Sequence, residues 1–304
     1  MSGTIRAPIL VLGGAGIVGA GVVQAAVEAG WPVIAVDRDV AGLERLRARH
    51  AHADLAVLAG SLASDADAAA IVDALRGMGR PLAGVIATIA GGGARGRLLD
   101  RPSATLCHQL DQDLVPHLVA ARQLLPLLAQ ADRGASYILI GGPGGATPWA
   151  GYGHRSVAAA ALRMLASVLH DEARPLGVRL QLLAVDVPVC IQDERIKPCT
   201  HWPTAASIGR RALGLIARET SGVAANAIVS YSDAAPPSPP AVTVTDEPPG
   251  ASYVKRLLAR TLRRTCDAQI LAAEQVTAEQ EADIDGGCNR PRSPAPPLPS
   301  PQGR

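Results

Sequence analysis

The chain has 304 residues, 48% hydrophobic and 18% charged, with a formal net charge of +2, so it can bury a substantial core and is not a wholly disordered protein. Its apolar stretches are broken by Gly, Pro, Arg or His well short of the roughly 20 residues a membrane span needs, and no span is expected. Near-neutral charge, 3 Trp, 4 Tyr and no Phe leave neither an electrostatic footprint nor stacking platforms for nucleic acid, which is not an expected partner.

Residues 9–12 form the first expected strand, and the glycines that follow read as a turn, not a signal cleavage site, so the expected location is cytoplasmic. Helix-like stretches at 17–29, 40–49, 65–78, 103–131, 153–173 and 204–218 then alternate with β-like runs at 33–36, 55–58, 84–89, 136–140, 179–185 and 227–230. Asp39 and Ser64 stand where N-caps belong, and Gly30, Gly77 and Gly79 close two helices. Nearly continuous apolar strands separated by helices predict a parallel sheet buried on both faces. The expected fold is a three-layer, doubly wound α/β Rossmann domain with a parallel seven-stranded sheet, over residues 1–232.

Beyond it, residues 233–250 read as a Pro-rich linker, 251–285 as an amphipathic helical extension and 286–304 as a disordered Pro-rich tail. The extension carries Lys255, Arg256, Arg260, Arg263 and Arg264 in its first half. Two readings are open: a helix docked on the domain or its oligomer partner, or one that binds a membrane surface or another protein. Cys107, Cys190, Cys199, Cys266 and Cys288 show no C-x-x-C pair and no nearby His at metal spacing, so neither a disulfide framework nor a metal site is expected.

Between the first strand and first helix lies Gly13-Gly14-Ala15-Gly16-Ile17-Val18-Gly19, which contains G-x-G-x-x-G at Gly14, Gly16 and Gly19. Glycines in such a turn bring backbone N–H groups and a helix N-terminus against a pyrophosphate. Asp37 ends the second strand eighteen residues past Gly19, where a carboxylate accepts from ribose hydroxyls and repels a 2′-phosphate. This favours NAD over NADP, although Arg38 beside it offsets the repulsion and keeps NADP open. A strand-end carboxylate in solvent is the plainer account of Asp37.

With this loop, the acidic strand end and Tyr152 at the start of a helix after the fifth strand, the chain resembles the short-chain dehydrogenase/reductase family over residues 5–232. Gly13, Gly16 and Gly19 match the T-G-x-x-G-x-x-G spacing of extended and atypical members, with Leu12 in place of Thr. Ser61-Leu62 stand where the family has an adenine-contacting Asp and a small apolar residue, and Thr88-Ile89-Ala90-Gly91 stand for N-N-A-G. The resemblance therefore implies a cofactor site of Gly13, Gly14, Gly16, Val18, Gly19, Asp37, Arg38, Ser61, Leu62, Ala90 and Gly91. It also implies a homodimer or homotetramer built on helices 103–131 and 153–173, and a small-molecule substrate.

The family's catalytic Asn, Ser, Tyr and Lys positions read Asp113, Gly142, Tyr152 and Ser156 here, so only the tyrosine is kept. Bringing a free tyrosine from a pKa near 10 to near 7 takes roughly 4 kcal/mol of phenolate stabilisation, at about 1.4 kcal/mol per unit. Arg155 is the candidate replacement for the Lys, because residues three apart share a helix face. A neutral Tyr152 still donates a proton to a carbonyl being reduced, whereas oxidation needs the phenolate, so residual activity should favour reduction. Plainer accounts stand beside these: Tyr152 as a packing residue, Asp113 as a stray polar residue, His154 without a role and Cys190 as a small buried residue. Trp149 and Trp202 are candidates to line a pocket near Tyr152.

Two functions are expected in competition. One is an NAD(P)-dependent oxidoreductase that reduces a carbonyl, with Tyr152 and Arg155 as catalytic residues. The other is a catalytically inactive dinucleotide-binding homologue that serves as a structural or regulatory subunit.

Overall fold

In this computed structural model residues 6–92, 95–130, 135–190, 202–217 and 226–231 are described. The expected linker, amphipathic extension and tail lie outside them, as do Cys199, Cys266 and Cys288. The strands are β1 (Ile9–Leu12), β2 (Val33–Asp37), β3 (Leu55–Ala59), β4 (Gly84–Ala87), β5 (Ser136–Gly141), β6 (Arg179–Ala184) and β7 (Ile228–Ser230). The helices are α1 (Ile17–Glu28), α2 (Val40–Arg49), α3 (Asp65–Gly77), α4 (Ser103–Asp113), α5 (Val115–Ala129), α6 (Gly153–Ala173) and α7 (Ala205–Ile216).

All seven strands pair in parallel, in the order β3-β2-β1-β4-β5-β6-β7. Alternate side chains of each strand feed opposite cores, as a period of two requires. Leu10, Leu12, Val85, Ala87, Tyr137 and Leu139 pack with α3, α5 and α6 on one side. Ile9, Val11, Ile86, Ile138 and Ile140 pack with α1, α2 and α7 on the other. This is the three-layer Rossmann arrangement. Because the order reverses between β1 and β4, a crevice opens at the carboxyl ends of these two strands.

Two of the differences from the expected boundaries have a local cause. The stretch expected as one helix over 103–131 is two helices, broken at Leu114, whose φ and ψ are −117° and −55°. Pro116 is the cause: it has no N–H to donate, so the helix restarts at Val115 and leaves the proline in a first turn, where no donor is needed. The strand expected over 84–89 stops at Ala87: the Thr88 N–H still donates to the Leu12 carbonyl of β1, but from Ile89 on the backbone bonds to side chains of the helical layer.

The approach of α1 to α7 depends on missing side chains. A Cβ on Gly209 would lie 2.8 Å from the Gly21 carbonyl oxygen and from the Val22 Cα, and one on Gly21 would overlap Ala205. Gly214, on the same helix α7, faces open space. Gly209→Ala is therefore expected to destabilise by about 1–3 kcal/mol through overpacking. Gly214→Ala is expected to stabilise by roughly 0.5–1 kcal/mol. Urea unfolding of the two variants checks this pair of opposite signs.

Candidate functional site

The glycine loop closes on itself before any ligand is considered. The N–H groups of Gly13 and Gly14 both donate to the Val36 carbonyl (2.9 and 3.1 Å), and that of Gly16 donates to the Gly13 carbonyl (3.2 Å). The Ala15 N–H donates to Oδ2 of Asp37 (3.0 Å). Gly13 has φ +74°, the left-handed region, and a Cβ on Gly19 would overlap the Gly13 carbonyl oxygen, so a side chain at either place distorts the turn. Asp39, Ser64 and Thr204 cap α2, α3 and α7 with their side chains, whereas α1, which starts after Gly16, has no side-chain cap, as α4, α5 and α6 have none. The first-turn N–H groups of Ile17, Val18 and Gly19 are thus left for an anion, and the residues present fit a dinucleotide's diphosphate.

Asp37 is half-buried at the end of β2, and its second oxygen accepts the Asp39 N–H (3.0 Å). A carboxylate has about four acceptor positions, so two remain for a ribose. Arg38 is exposed. Ser61 Oγ accepts the Ala63 N–H (3.1 Å) in its own turn, and Leu62 packs against the core from a half-buried position.

Across the crevice, the Thr88 hydroxyl bridges the carbonyls of Leu12 and Gly13 (2.8 and 3.0 Å) and fastens the end of β4 to the loop. Behind it lies a set of polar side chains, the half-buried Asp113 and the buried Gln109 and His117. Asp113 Oδ1 accepts the Gly91 N–H (2.6 Å), while its Oδ2 accepts from Gln109 Nε2 (2.6 Å). His117, fully buried, holds the Ile89 carbonyl through Nε2 (3.0 Å). A carbonyl only accepts, so Nε2 carries the proton and Nδ1, for which the described residues offer no partner, is bare. Burial accordingly pushes the His117 pKa down to about 4. Burial raises that of Asp113, opposed by the bonds from Gly91 and Gln109 and by the nearby Arg155 guanidinium. Asp113 is thus no stray polar residue, and Gln109 and His117 were missed; their spacing of four on either side of Asp113 was the available signal.

Tyr152 is the N-cap residue of α6, and its ring is 4% exposed. Trp149 stacks on it with centroids 4.1 Å apart, and the Arg95 guanidinium lies 5.2 Å from its centroid. The Gly96 N–H donates to the Gly151 carbonyl (2.9 Å), which ties the Arg95 segment down; Arg95 has no local sequence signal. At the family's lysine position, Ser156 Oγ accepts the Trp149 N–H (2.9 Å) and donates to the Tyr152 carbonyl (3.1 Å). At its serine position, a Cβ on Gly142 would meet nothing within 4 Å. Arg155 is half-buried. His154 is buried on the α6 stripe it shares with Ala158, Leu162 and Ala166, and Cys190 is buried as well. Trp202 makes no ring contact with Tyr152 among the described residues.

A family model described as short chain dehydrogenase matches residues 7–187, and the chain belongs to the short-chain dehydrogenase/reductase family. No curated protein matches it. Among solved structures, a short-chain type dehydrogenase/reductase from Mycobacterium ulcerans is similar at 18% identity and TM-score 0.64, over 74% of this chain and 87% of that one. A short chain oxidoreductase from Pseudomonas aeruginosa PAO1, described as NADPH-bound with an atypical catalytic centre, is similar at 20% identity and TM-score 0.61, over 69% and 89%. An oxidoreductase of the same family from Burkholderia thailandensis is similar at 24% identity and TM-score 0.60, over 70% and 86%. At these identities the likeness is one of fold. Among the described residues no helix is long and apolar enough to cross a membrane.

His117 generates a pH prediction. Its pKa is 6.5 unfolded and about 4 folded, so between these values the unfolded chain binds a proton that the folded one refuses. Stability from this group is present above pH 6.5 and falls as pH drops toward 4, by about 3 kcal/mol in all. Unfolding free energies of the wild type and His117→Gln across this range check it: the variant should lack this acid loss, so the difference between them should shrink as pH falls.

Proposed function

We propose that this chain is an NAD(P)-dependent oxidoreductase that reduces a small-molecule carbonyl, with NAD preferred to NADP. The observation that carries this reading is the pairing of an uncapped α1 N-terminus with the half-buried Asp37 carboxylate, already bonded to the same loop. The N–H groups of Ile17, Val18 and Gly19 would hold the diphosphate, with Gly13, Gly14 and Gly16 shaping the turn that admits it, and Asp37 the adenosine ribose through its remaining acceptor positions. Ser61 and Leu62 would stand beside the adenine, and Ala90 and Gly91 beside the other half. The Asp37 charge repels a 2′-phosphate; Arg38, exposed next to it, lowers that penalty without removing the carboxylate.

When bound, the reduced dinucleotide supplies a hydride to the carbonyl carbon. Tyr152, as a neutral phenol, gives its proton to the carbonyl oxygen as negative charge develops there. Arg155, three residues along the same helix, supplies the positive field that the missing lysine would have supplied. Because oxidation would need the phenolate as base, the residues present serve reduction better. We also propose a homodimer or homotetramer on α4, α5 and α6, where Val115, Leu118, Val157, Met164 and Val168 are exposed.

Titration calorimetry with NADH and NADPH tests the binding half: NADH should bind with a dissociation constant on the order of micromolar, more tightly than NADPH. Gly16→Asp should abolish binding without loss of thermal stability, since a Cβ there comes no closer than 3.4 Å to the Gly13 carbonyl oxygen. In a screen of carbonyl compounds, Tyr152→Phe should lower turnover by about 10²–10⁴. Gly142→Ser, which adds a hydroxyl in open space, should raise it. Binding of neither dinucleotide overturns the reading; binding without turnover leaves a dinucleotide-binding subunit.

A further inference from the structure

We propose that Gln109, Asp113 and His117 act together as a positioning device for the nicotinamide half of the dinucleotide, with His117 as its anchor. The inference rests on the dinucleotide site argued above. The diphosphate belongs at the loop after β1 and the adenosine ribose at Asp37, at the end of β2. In the order β2-β1-β4 the rest of the ligand must then run the other way, past the end of β4. The wall it meets there is the backbone of residues 89–92, which has left the sheet and has no strand to hold it.

What holds that wall is the end of α4 and the first turn of α5, on either side of the break at Leu114. His117 Nε2 donates to the Ile89 carbonyl (3.0 Å), Asp113 accepts the Gly91 N–H (2.6 Å), and Gln109 Nε2 reaches the Gly92 carbonyl (3.5 Å). Gln109 also donates to Asp113 Oδ2 (2.6 Å), so both carboxylate oxygens of Asp113 are engaged. Gln109 is 2% and His117 0% exposed, where an unanswered polar group is costly and a satisfied one rigidifies its neighbours. A Cβ on Gly91 would overlap the Gln112 side chain, so the segment is pressed against α4 as well as bonded to it. Asp113 therefore works as a structural tie at this wall, and the three residues act on the ligand only through the backbone they hold.

The test compares two ligands on the full chain: NADH, and ADP-ribose, which lacks the nicotinamide. His117→Leu removes the bond to Ile89, while His117→Gln offers an amide N–H in its place. His117→Leu is expected to weaken NADH binding by about tenfold while ADP-ribose affinity stays within about twofold, and His117→Gln to recover most of the loss. A role confined to stability would lower the melting temperature and leave the ratio of the two affinities unchanged. If His117→Leu does not fold, Gln109→Met, which removes the bonds to Gly92 and Asp113, must show the same selective loss. Equal weakening of both ligands, or no change in either, overturns the positioning role alone. A wild-type chain that binds neither ligand overturns the dinucleotide reading and this inference with it.

Discussion

Both faces of the sheet are covered, so its side chains are committed to packing and its backbone groups to neighbouring strands. Polar chemistry is confined to the strand ends, and the reversal of order between β1 and β4 selects which ends are accessible. The Thr88 hydroxyl on the carbonyls of Leu12 and Gly13 couples the two strands at that reversal. The candidate residues of the dinucleotide site spread outward from this seam: the glycine loop on one side, the segment after β4 on the other, Asp37 one strand away and Ser61 and Leu62 two strands away.

The surroundings of Tyr152 differ in electrostatic character from the family pattern they resemble. A lysine would place a mobile ammonium by the tyrosine; here a serine hydroxyl occupies that position and is fully used in closing the turn that carries Trp149 and Tyr152. Positive charge comes instead from guanidinium groups, Arg95 over the ring and Arg155 on the helix. A guanidinium stays charged at any physiological pH and is more weakly hydrated than an ammonium, so it holds its field when partly desolvated. Near it, the half-buried Asp113 has its pKa raised by burial, against the pull of two hydrogen bonds and the Arg155 guanidinium.

The strands and most helices were legible because the apolar runs are continuous and their lengths suit a two-faced sheet. The break at Leu114 was also written in the chain, at Pro116, but the apolar periodicity of residues 103–131 runs across it and masks the missing donor. Asp37 and the glycines were found because loop and strand end are bound to a fixed spacing in sequence. Arg95 was not, since its contact with Tyr152 depends on a bridge between Gly96 and a residue far along the chain. Gln109 and His117 show the intermediate case: their spacing of four on either side of Asp113 is local, but they lie on α4 and α5 and the carbonyls they hold belong to the segment after β4.

The loop after β1 has spent its own donors. The N–H groups of residues 13 to 16 all bond within the protein, to Val36, Asp37 and Gly13 itself. A ligand reaching the crevice thus meets a rigid receptor: little conformational entropy is lost in ordering the turn, and less of the intrinsic interaction is offset on association. The same rigidity restricts adaptation. With only the first turn of α1 free to donate, an anion too large or too flat for that turn finds no second set of donors in the loop to recruit, so the shape of the turn limits which anions fit it.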